Sequence, residues 1–379
     1  EETPEETVSE RIDALQPDQL ATLIYTSGTT GPPKGVMLSH QNLAWTAQIA
    51  GVLVEIDDRD SSLSYLPLSH IAEQIFTLHG PATYGFQIYY AESLDVVADN
   101  LKEVHPTILF AVPRIWEKFY AGIRAKLGDA PPVKAALAGW ATGVGRQVVD
   151  LQNRGESVPG LIQLQHRLAD KLVLSKVRAA LGLDRLRFAV SGAAPISKEI
   201  LEFLGGFGVA IREVYGQSED TGPTSFNRPG RTLFGTVGPA VPGVDVSIAA
   251  DDEILVKGPN VFLGYFKDEK ATAEALTDGW LHSGDLGRID EGGFLHITGR
   301  KKDIIITAGG KNIAPKNIEA SLKNDDLITE AVVIGDRRKF LSALICLDPD
   351  AAQRHADKAG ISDSSLHDAP AMIAAVQKV

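Results

Sequence analysis

Tyr25-Thr26-Ser27-Gly28-Thr29-Thr30-Gly31-Pro32-Pro33-Lys34-Gly35 decides the reading of this chain: glycines, hydroxyls and one lysine are gathered in a turn behind the apolar, β-prone run Leu20 to Thr26. Glycines let backbone N–H groups converge on an anion, the Ser/Thr hydroxyls add donors, and Lys34 brings a compact positive charge. Such a loop grips phosphate, and a nucleoside triphosphate is the expected ligand. It is not a Walker loop, which closes on Gly-Lys-Ser/Thr; here Pro33 precedes Lys34 and Gly35 follows it. A plain Gly/Ser/Thr surface turn is the bland alternative, disfavoured by the strand that leads into it. Downstream, Ser39 offers an N-cap to a helix carrying Leu43, Ala47, Ala50 and Val54, so the opening order reads strand, phosphate loop, helix.

The chain has 379 residues, 44% of them hydrophobic, which predicts a globular protein of more than one domain. Asp and Glu number 49 against 37 Lys and Arg, a net charge of −12, which argues against a nucleic-acid partner. The single cysteine, Cys346, lies in an apolar run and reads as a packed thiol rather than a nucleophile. The first residues, Glu1 to Glu6, are acidic without a signal-peptide pattern, and no apolar run reaches the ~18 residues of a membrane span. A reducing, cytoplasmic setting is expected.

Strand patterns at Ser62 to Leu68 and Phe86 to Tyr90 flank a helix starting near His70; an amphipathic Leu94 to Val104 then precedes a buried-type strand, Thr107 to Val112. Pro113 to Leu181 is almost wholly helix-prone, broken near Pro131-Pro132 and Pro159-Gly160, and reads as a helical insertion. A strand-helix-strand unit follows over Leu186 to Tyr215. The expected fold class is α/β: a large domain with mostly parallel sheets flanked by helices plus a small β-barrel-like subdomain, then a small α+β C-terminal domain. The large domain is placed at 1–299 with its β-rich part at 230–299, and a small mobile domain at 300–379.

Four further segments carry chemistry. Val214-Tyr215-Gly216-Gln217-Ser218-Glu219 ends a buried strand in an aromatic that can stack on a nucleobase and a carboxylate that can hold Mg²⁺. Ser191-Gly192-Ala193-Ala194-Pro195 is small enough to let backbone approach a flat ligand. Gly279-Trp280-Leu281-His282-Ser283-Gly284-Asp285 sets Asp285 in a glycine-flanked turn, where a carboxylate can accept ribose hydroxyl protons, although most Asp-Gly turns are structural. Gly299-Arg300-Lys301-Lys302-Asp303 is a charged cluster that could equally be a solvated face.

Together with the phosphate loop, these motifs resemble, in order and over nearly the whole chain, those of the adenylate-forming (AMP-binding) enzymes. Tyr65 to Glu73, Ala111 to Lys118 and Gly309 to Pro315 are similar to the long-chain fatty acyl-CoA synthetase branch. The resemblance implies ATP, Mg²⁺ and CoA, with a fatty acid as substrate. It assigns Thr26, Ser27, Gly28, Thr29, Thr30, Gly31 and Lys34 to phosphate, and Gly192, Ala193, Ala194, Pro195, Tyr215, Gly216, Gln217 and Ser218 to the adenine side. Asp285 goes to ribose, Arg300 to ribose or the α-phosphate, and Glu219 with Thr29 to the metal. Lys34, Glu219 and Arg300 would be the catalytic groups, Lys302 the hinge, His70 a flank of the carboxylate pocket or merely a helix cap, and Gly309-Gly310 part of the thiol channel. The implied reaction makes acyl-AMP and then the CoA thioester. Two other readings remain: a relative that passes acyl-AMP to a carrier protein, and a nucleotide-binding but catalytically deficient fragment. The family's large domain begins further upstream and a late lysine follows the small domain, so truncation at both ends is expected. Long-chain acids partition into bilayers, which is compatible with peripheral membrane contact.

Overall fold

The computed structural model describes residues 5–26, 32–360, 366 and 369–379. A short helix, α1 (Glu5–Asp13), precedes β1 (Leu20–Thr26) and β2 (Lys34–Ser39), which pair antiparallel with Thr26 opposite Lys34. The opening order is therefore strand, loop, strand, helix, not the strand, loop, helix read from the pattern. Val36 and Leu38 are fully buried and draw the segment after Pro33 into a hairpin before α2 (His40–Val54) begins. Ser39 caps α2 in a capping box: its Oγ accepts from Asn42 N at 3.1 Å, and Asn42 Oδ1 accepts from Ser39 N at 2.9 Å.

Parallel strands β3 (Ser61–Ser64) and β4 (Gln87–Tyr90) are joined through α3 (Ile71–Gln74), a π-helical turn at Ile75–His79, and α4 (Gly80–Tyr84). After α5 (Val97–Val104) comes the central sheet, in which β5 (Ile108–Ala111), β6 (Phe188–Ser191) and β7 (Ile211–Tyr215) run parallel and β8 (Ser225–Phe226) closes antiparallel. Along β5, Leu109 and Ala111 enter one core while Ile108 and Phe110 enter another. Burial on both faces explains why these strands read as unbroken apolar runs. The helical insertion between β5 and β6 comprises α6 (Pro113–Gly128), α7 (Pro132–Asn153), α8 (Gly160–Ala169) with a π turn at Asp170–Leu174, and α9 (Ser175–Ala180). Its breaks fall where the prolines place them. Between β6 and β7, α10 (Lys198–Gly206) starts at Ser197, whose Oγ accepts from Ile200 N.

The β-rich part holds β9 (Asp245–Ile248), β10 (Glu253–Lys257), β11 (Gly264–Tyr265), α11 (Glu269–Ala275), β12 (Leu276–Thr277), β13 (Trp280–Ile289) and β14 (Leu295–Arg300). Strands β12-β13-β10-β9 form an antiparallel sheet with β14 on β13, while β11 crosses over to extend the β1-β2 hairpin. The last segment has β15 (Ile305–Ile306), β16 (Asn312–Ile313), α12 (Pro315–Leu322), β17 (Ile328–Ile334), β18 (Ser342–Leu347), α13 (Pro349–Ala359) and α14 (Pro370–Val376). Its core, built on Leu327, Ile328, Ala331, Ala351, Ala352 and Met372, is separate from the other two. Cys346 is exposed, contrary to the packed thiol expected of it. The two-residue period of β18 turns Ile345 and Leu347 toward that core and leaves Cys346 on the opposite face.

Candidate nucleotide site

Parallel β-strands leave their ligand-facing loops at their carboxyl ends, and β6 and β7 end in two of the segments singled out above. Beyond β7 the chain doubles back so tightly that a Cβ on Gly216 would lie 1.3 Å from Gly222 O. The turn is held from beneath by Asp220, which is wholly buried and accepts from Gln217 N at 2.6 Å and from Thr224 Oγ1 at 2.7 Å. Burial raises the Asp220 carboxyl to about 8 against the hydrogen bonds of Gln217 and Thr224. Thr221 takes a left-handed φ of 59° and donates to Asn260 O at 2.6 Å, which ties the turn to the β-rich part. Asp220 and Thr221 carry no signal in the sequence, because a carboxylate under a turn is indistinguishable there from one in solvent.

Asp285 gathers three donors. Tyr215 Oη donates to its Oδ2 at 2.9 Å, Gln217 Nε2 to the same oxygen at 2.5 Å, and Arg300 Nε to Oδ1 at 2.9 Å. Arg300 stands directly opposite Asp285 in the β13-β14 ladder, which is why the two meet. Burial works against the guanidinium charge, but Asp285 more than offsets it and holds the Arg300 pKa above its ordinary value. The phenol of Tyr215 thus points at a carboxylate, and burial followed by that charge drives its pKa far up. A second cluster lies alongside. Tyr265 Oη donates to Glu219 Oε1 at 2.8 Å, and Lys34 Nζ sits 4.7 Å from the centre of the Tyr265 ring. Tyr265 was not singled out in the sequence; it reaches the site only because β11 pairs with β2.

Behind these, Glu253 accepts from His282 Nδ1 at 3.1 Å, Gly284 N at 2.9 Å and Lys301 Nζ at 3.2 Å. Burial alone would raise its carboxyl pKa, and the three donors bring it below the ordinary value. Thr26, Lys34, Gly216, Gln217, Ser218, Glu219, Arg300 and Lys302 line one open cleft. A smaller apolar cavity adjoins it, lined by Ile75, Phe76, Phe110, Phe188 and Val190 among others. His70, Ile71, Ala193 and Gly216 line both spaces. His70 Nδ1 also accepts from Ala72 N at 3.3 Å as the cap of α3, and burial lowers its pKa. Both readings of this histidine are compatible with its position.

Other candidates fall elsewhere. Ser27, Gly28, Thr29, Thr30 and Gly31 lie outside the described residues. Gly192 is buried, and a Cβ there would lie 2.7 Å from Val214 Cγ1, so its smallness lets β6 and β7 pack closely. Ala194 and Pro195 are exposed and do not line the cleft; Gly309 and Gly310 form the exposed tip between β15 and β16, away from it. Among the described residues no group of three or more His, Cys, Asp and Glu side chains stands ready for a metal. A single carboxylate at Glu219 fits Mg²⁺, which keeps water and takes its remaining oxygens from phosphate.

The sequence features of an AMP-binding enzyme match residues 1–266, and those of an AMP-binding enzyme C-terminal domain match residues 302–375. The chain belongs to the AMP-binding enzyme family. Among curated members, a long-chain-fatty-acid–CoA ligase ACSBG2 of Xenopus laevis is 43% identical over 358 residues, covering 91% of this chain and 48% of the frog protein. A putative fatty-acid–CoA ligase fadD11 of Mycobacterium tuberculosis is 40% identical over 369 residues, covering 97% of this chain and 64% of that protein. This AMP-binding chain thus spans about half to two thirds of the length of such relatives. Among solved structures, O-succinylbenzoate coenzyme A synthetase from Bacillus subtilis in complex with ATP and magnesium ion superposes with a TM-score of 0.64 at 25% identity, covering 90% of this chain and 64% of that one. The adenylation domain of a carboxylate reductase from Mycobacterium chelonae, 24% identical with a TM-score of 0.68 over 96% of this chain, shares the fold.

Proposed function

We propose that the polypeptide carrying this chain activates a long-chain fatty acid with ATP and passes the acyl group to CoA. The supporting observation is the junction of two spaces at His70 and Ala193: a polar cleft holding Lys34, Glu219 and Arg300, and an apolar cavity beside it. A carboxylate cannot expel oxide to a thiol at neutral pH. Attack of the acid on the α-phosphate, with loss of pyrophosphate, turns that oxygen into a leaving group, and the thiol then displaces AMP. Lys34, with the loop it closes, would offset phosphate charge; Asp285, steadied by Gln217 and Arg300, would hold ribose. Mg²⁺ on Glu219 would neutralise charge on the departing pyrophosphate. Tyr215, by its place beside Asp285, would fix the base, and Lys302 would serve as the hinge between a large domain and a small mobile one. The homologous long-chain-fatty-acid ligases and the apolar lining favour an alkyl acid, since each buried CH₂ contributes ~0.8 kcal/mol.

The test is pyrophosphate release across saturated acids of increasing length, followed by CoA-dependent release of AMP, using the polypeptide that contains this chain in full. Signal that rises with alkyl length is expected, and Lys34→Ala and Glu219→Gln should each lower it by roughly 10²-fold. Pyrophosphate release without CoA-dependent AMP release would assign the acyl group to another acceptor, such as a carrier-protein thiol. Release with aryl but not alkyl acids would overturn the substrate class.

A further inference from the structure

Strands β10 and β13 do not keep step where they pass the nucleotide cleft. Between the pairs Glu253–Leu286 and Leu255–His282 the chain takes four steps on β13 against two on β10, so residues 283–285 bulge out of the ladder. Bulges beside a site re-aim a side chain, and the one re-aimed here is Asp285. Glu253 fills the space beneath the bulge. Only 6% of it is exposed, yet it lines the cleft. Its Oε1 accepts from Gly284 N at 2.9 Å, the amide that the bulge takes off the β10 backbone, while Oε2 accepts from His282 Nδ1 at 3.1 Å and Lys301 Nζ at 3.2 Å. Burial pushes the Glu253 pKa up and the three donors more than reverse it; Glu213 and Asp220, buried without a cation in hydrogen-bond contact, are pushed up to about 8.

The groups that Glu253 holds adjoin the pair that would grip ribose. Gly284 precedes Asp285 and takes a left-handed φ of 71°. Its N–H is held by Glu253, and its C=O accepts from Lys301 N at 2.8 Å. Lys301 follows Arg300, the cross-strand partner of Asp285, and its ammonium also reaches Asp251 Oδ2 at 2.6 Å. Ser283 extends the pattern: its Oγ donates to Ile254 O at 2.7 Å and accepts from Asp285 N at 3.1 Å. Residues 253 and 254 thus hold β13 and the end of β14 on both sides of the Asp285–Arg300 pair. A binding group held in place by its supports before the ligand arrives loses less freedom on binding. We infer that Glu253 is a positioning residue for the nucleotide: through Gly284 and Lys301 it sets where Asp285 and Arg300 meet the ribose hydroxyls. This role rests on the reading of Asp285 as the ribose group.

Calorimetric titration of the polypeptide carrying this chain with ATP and with 2′,3′-dideoxyATP, both with Mg²⁺, tests it, because the analogue lacks only the hydroxyls that Asp285 would hold. The wild type is expected to favour ATP by about tenfold or more. Glu253→Gln keeps the shape and one acceptor oxygen and should reduce that preference to about threefold; Glu253→Ala should bring it close to one. A carboxylate that served only the fold would weaken both nucleotides alike and leave the ratio unchanged, which overturns the inference. Lys301→Met, at a side chain 47% exposed, removes one donor without emptying the buried site and should lower the ratio about twofold, so the test stands even if the alanine variant does not fold. Failure of the wild type to bind ATP overturns the proposed reaction together with this role. ATP binding with the same ratio in all variants overturns this role alone.

Discussion

Asp285 shows how far a single side chain can be read before its neighbours are known. Its place in a glycine-flanked turn offers a carboxylate for ribose, but the three donors that orient it come from positions 215, 217 and 300. Buried acids are the opposite case: nothing local marks Glu213, yet it is buried on β7 with Gly235 N donating at 3.0 Å. Burial raises its carboxyl from 4.5 to about 8, opposed by that N–H and by the charge of Lys198. The folded protein therefore holds a proton that the unfolded chain releases near pH 4.5. Stability contributed by the neutral acid is complete below that pH and is lost as pH climbs toward about 8. Glu213→Gln should flatten this dependence and raise stability near pH 8 by a few kcal/mol relative to wild type, read from denaturant midpoints at pH 5 and pH 8. An unchanged pH profile in the variant would mean the group is ionised in the fold.

At the scale of elements, helices were legible wherever caps and prolines punctuate them, as in α2 and the insertion after Pro113. The second strand was not. Lys34-Gly35 at its start belongs to the loop chemistry, and only the burial of Val36 and Leu38 between β1 and β11 makes the segment extended. Asn42 joins two elements at once: it completes the capping box of α2 and its Nδ2 donates to Pro259 O at 2.8 Å and Val261 O at 3.0 Å. Ser39→Ala should cost about 1 kcal/mol, the usual value of an N-cap. Asn42→Ala should cost roughly 2–3 kcal/mol, because two partly buried carbonyls also lose their donor. Equal losses in thermal melts would show that the link to residues 259–261 contributes nothing.

For the whole molecule, the decisive feature is that the core around Leu327, Ile328 and Met372 shares no residue with the two larger cores. Cooperative units follow cores, so unfolding is expected in two steps, the smaller core melting first. Tryptophans 45, 116, 140 and 280 all precede residue 300, so fluorescence should report only the later step while far-ultraviolet circular dichroism reports both. Coincident curves would indicate that contacts such as Arg114 Nη1 to Thr329 O, at 3.3 Å between α6 and β17, couple the parts into one unit.

The sequence by itself determined the local chemistry: a phosphate-type loop after a strand, a buried strand ending in Tyr215, an aspartate in a glycine turn, and a helical insertion. Those depend on composition and short spacing, which neighbours along the chain specify. Only the tertiary structure decided that Tyr265 would join Glu219 across 46 positions, that Tyr215 would donate to Asp285 across 70, and that Asp220 would lie buried beneath the turn with its carboxyl pKa raised. Strand pairing and desolvation set those relations, and both are properties of the packed molecule with no period or motif to announce them.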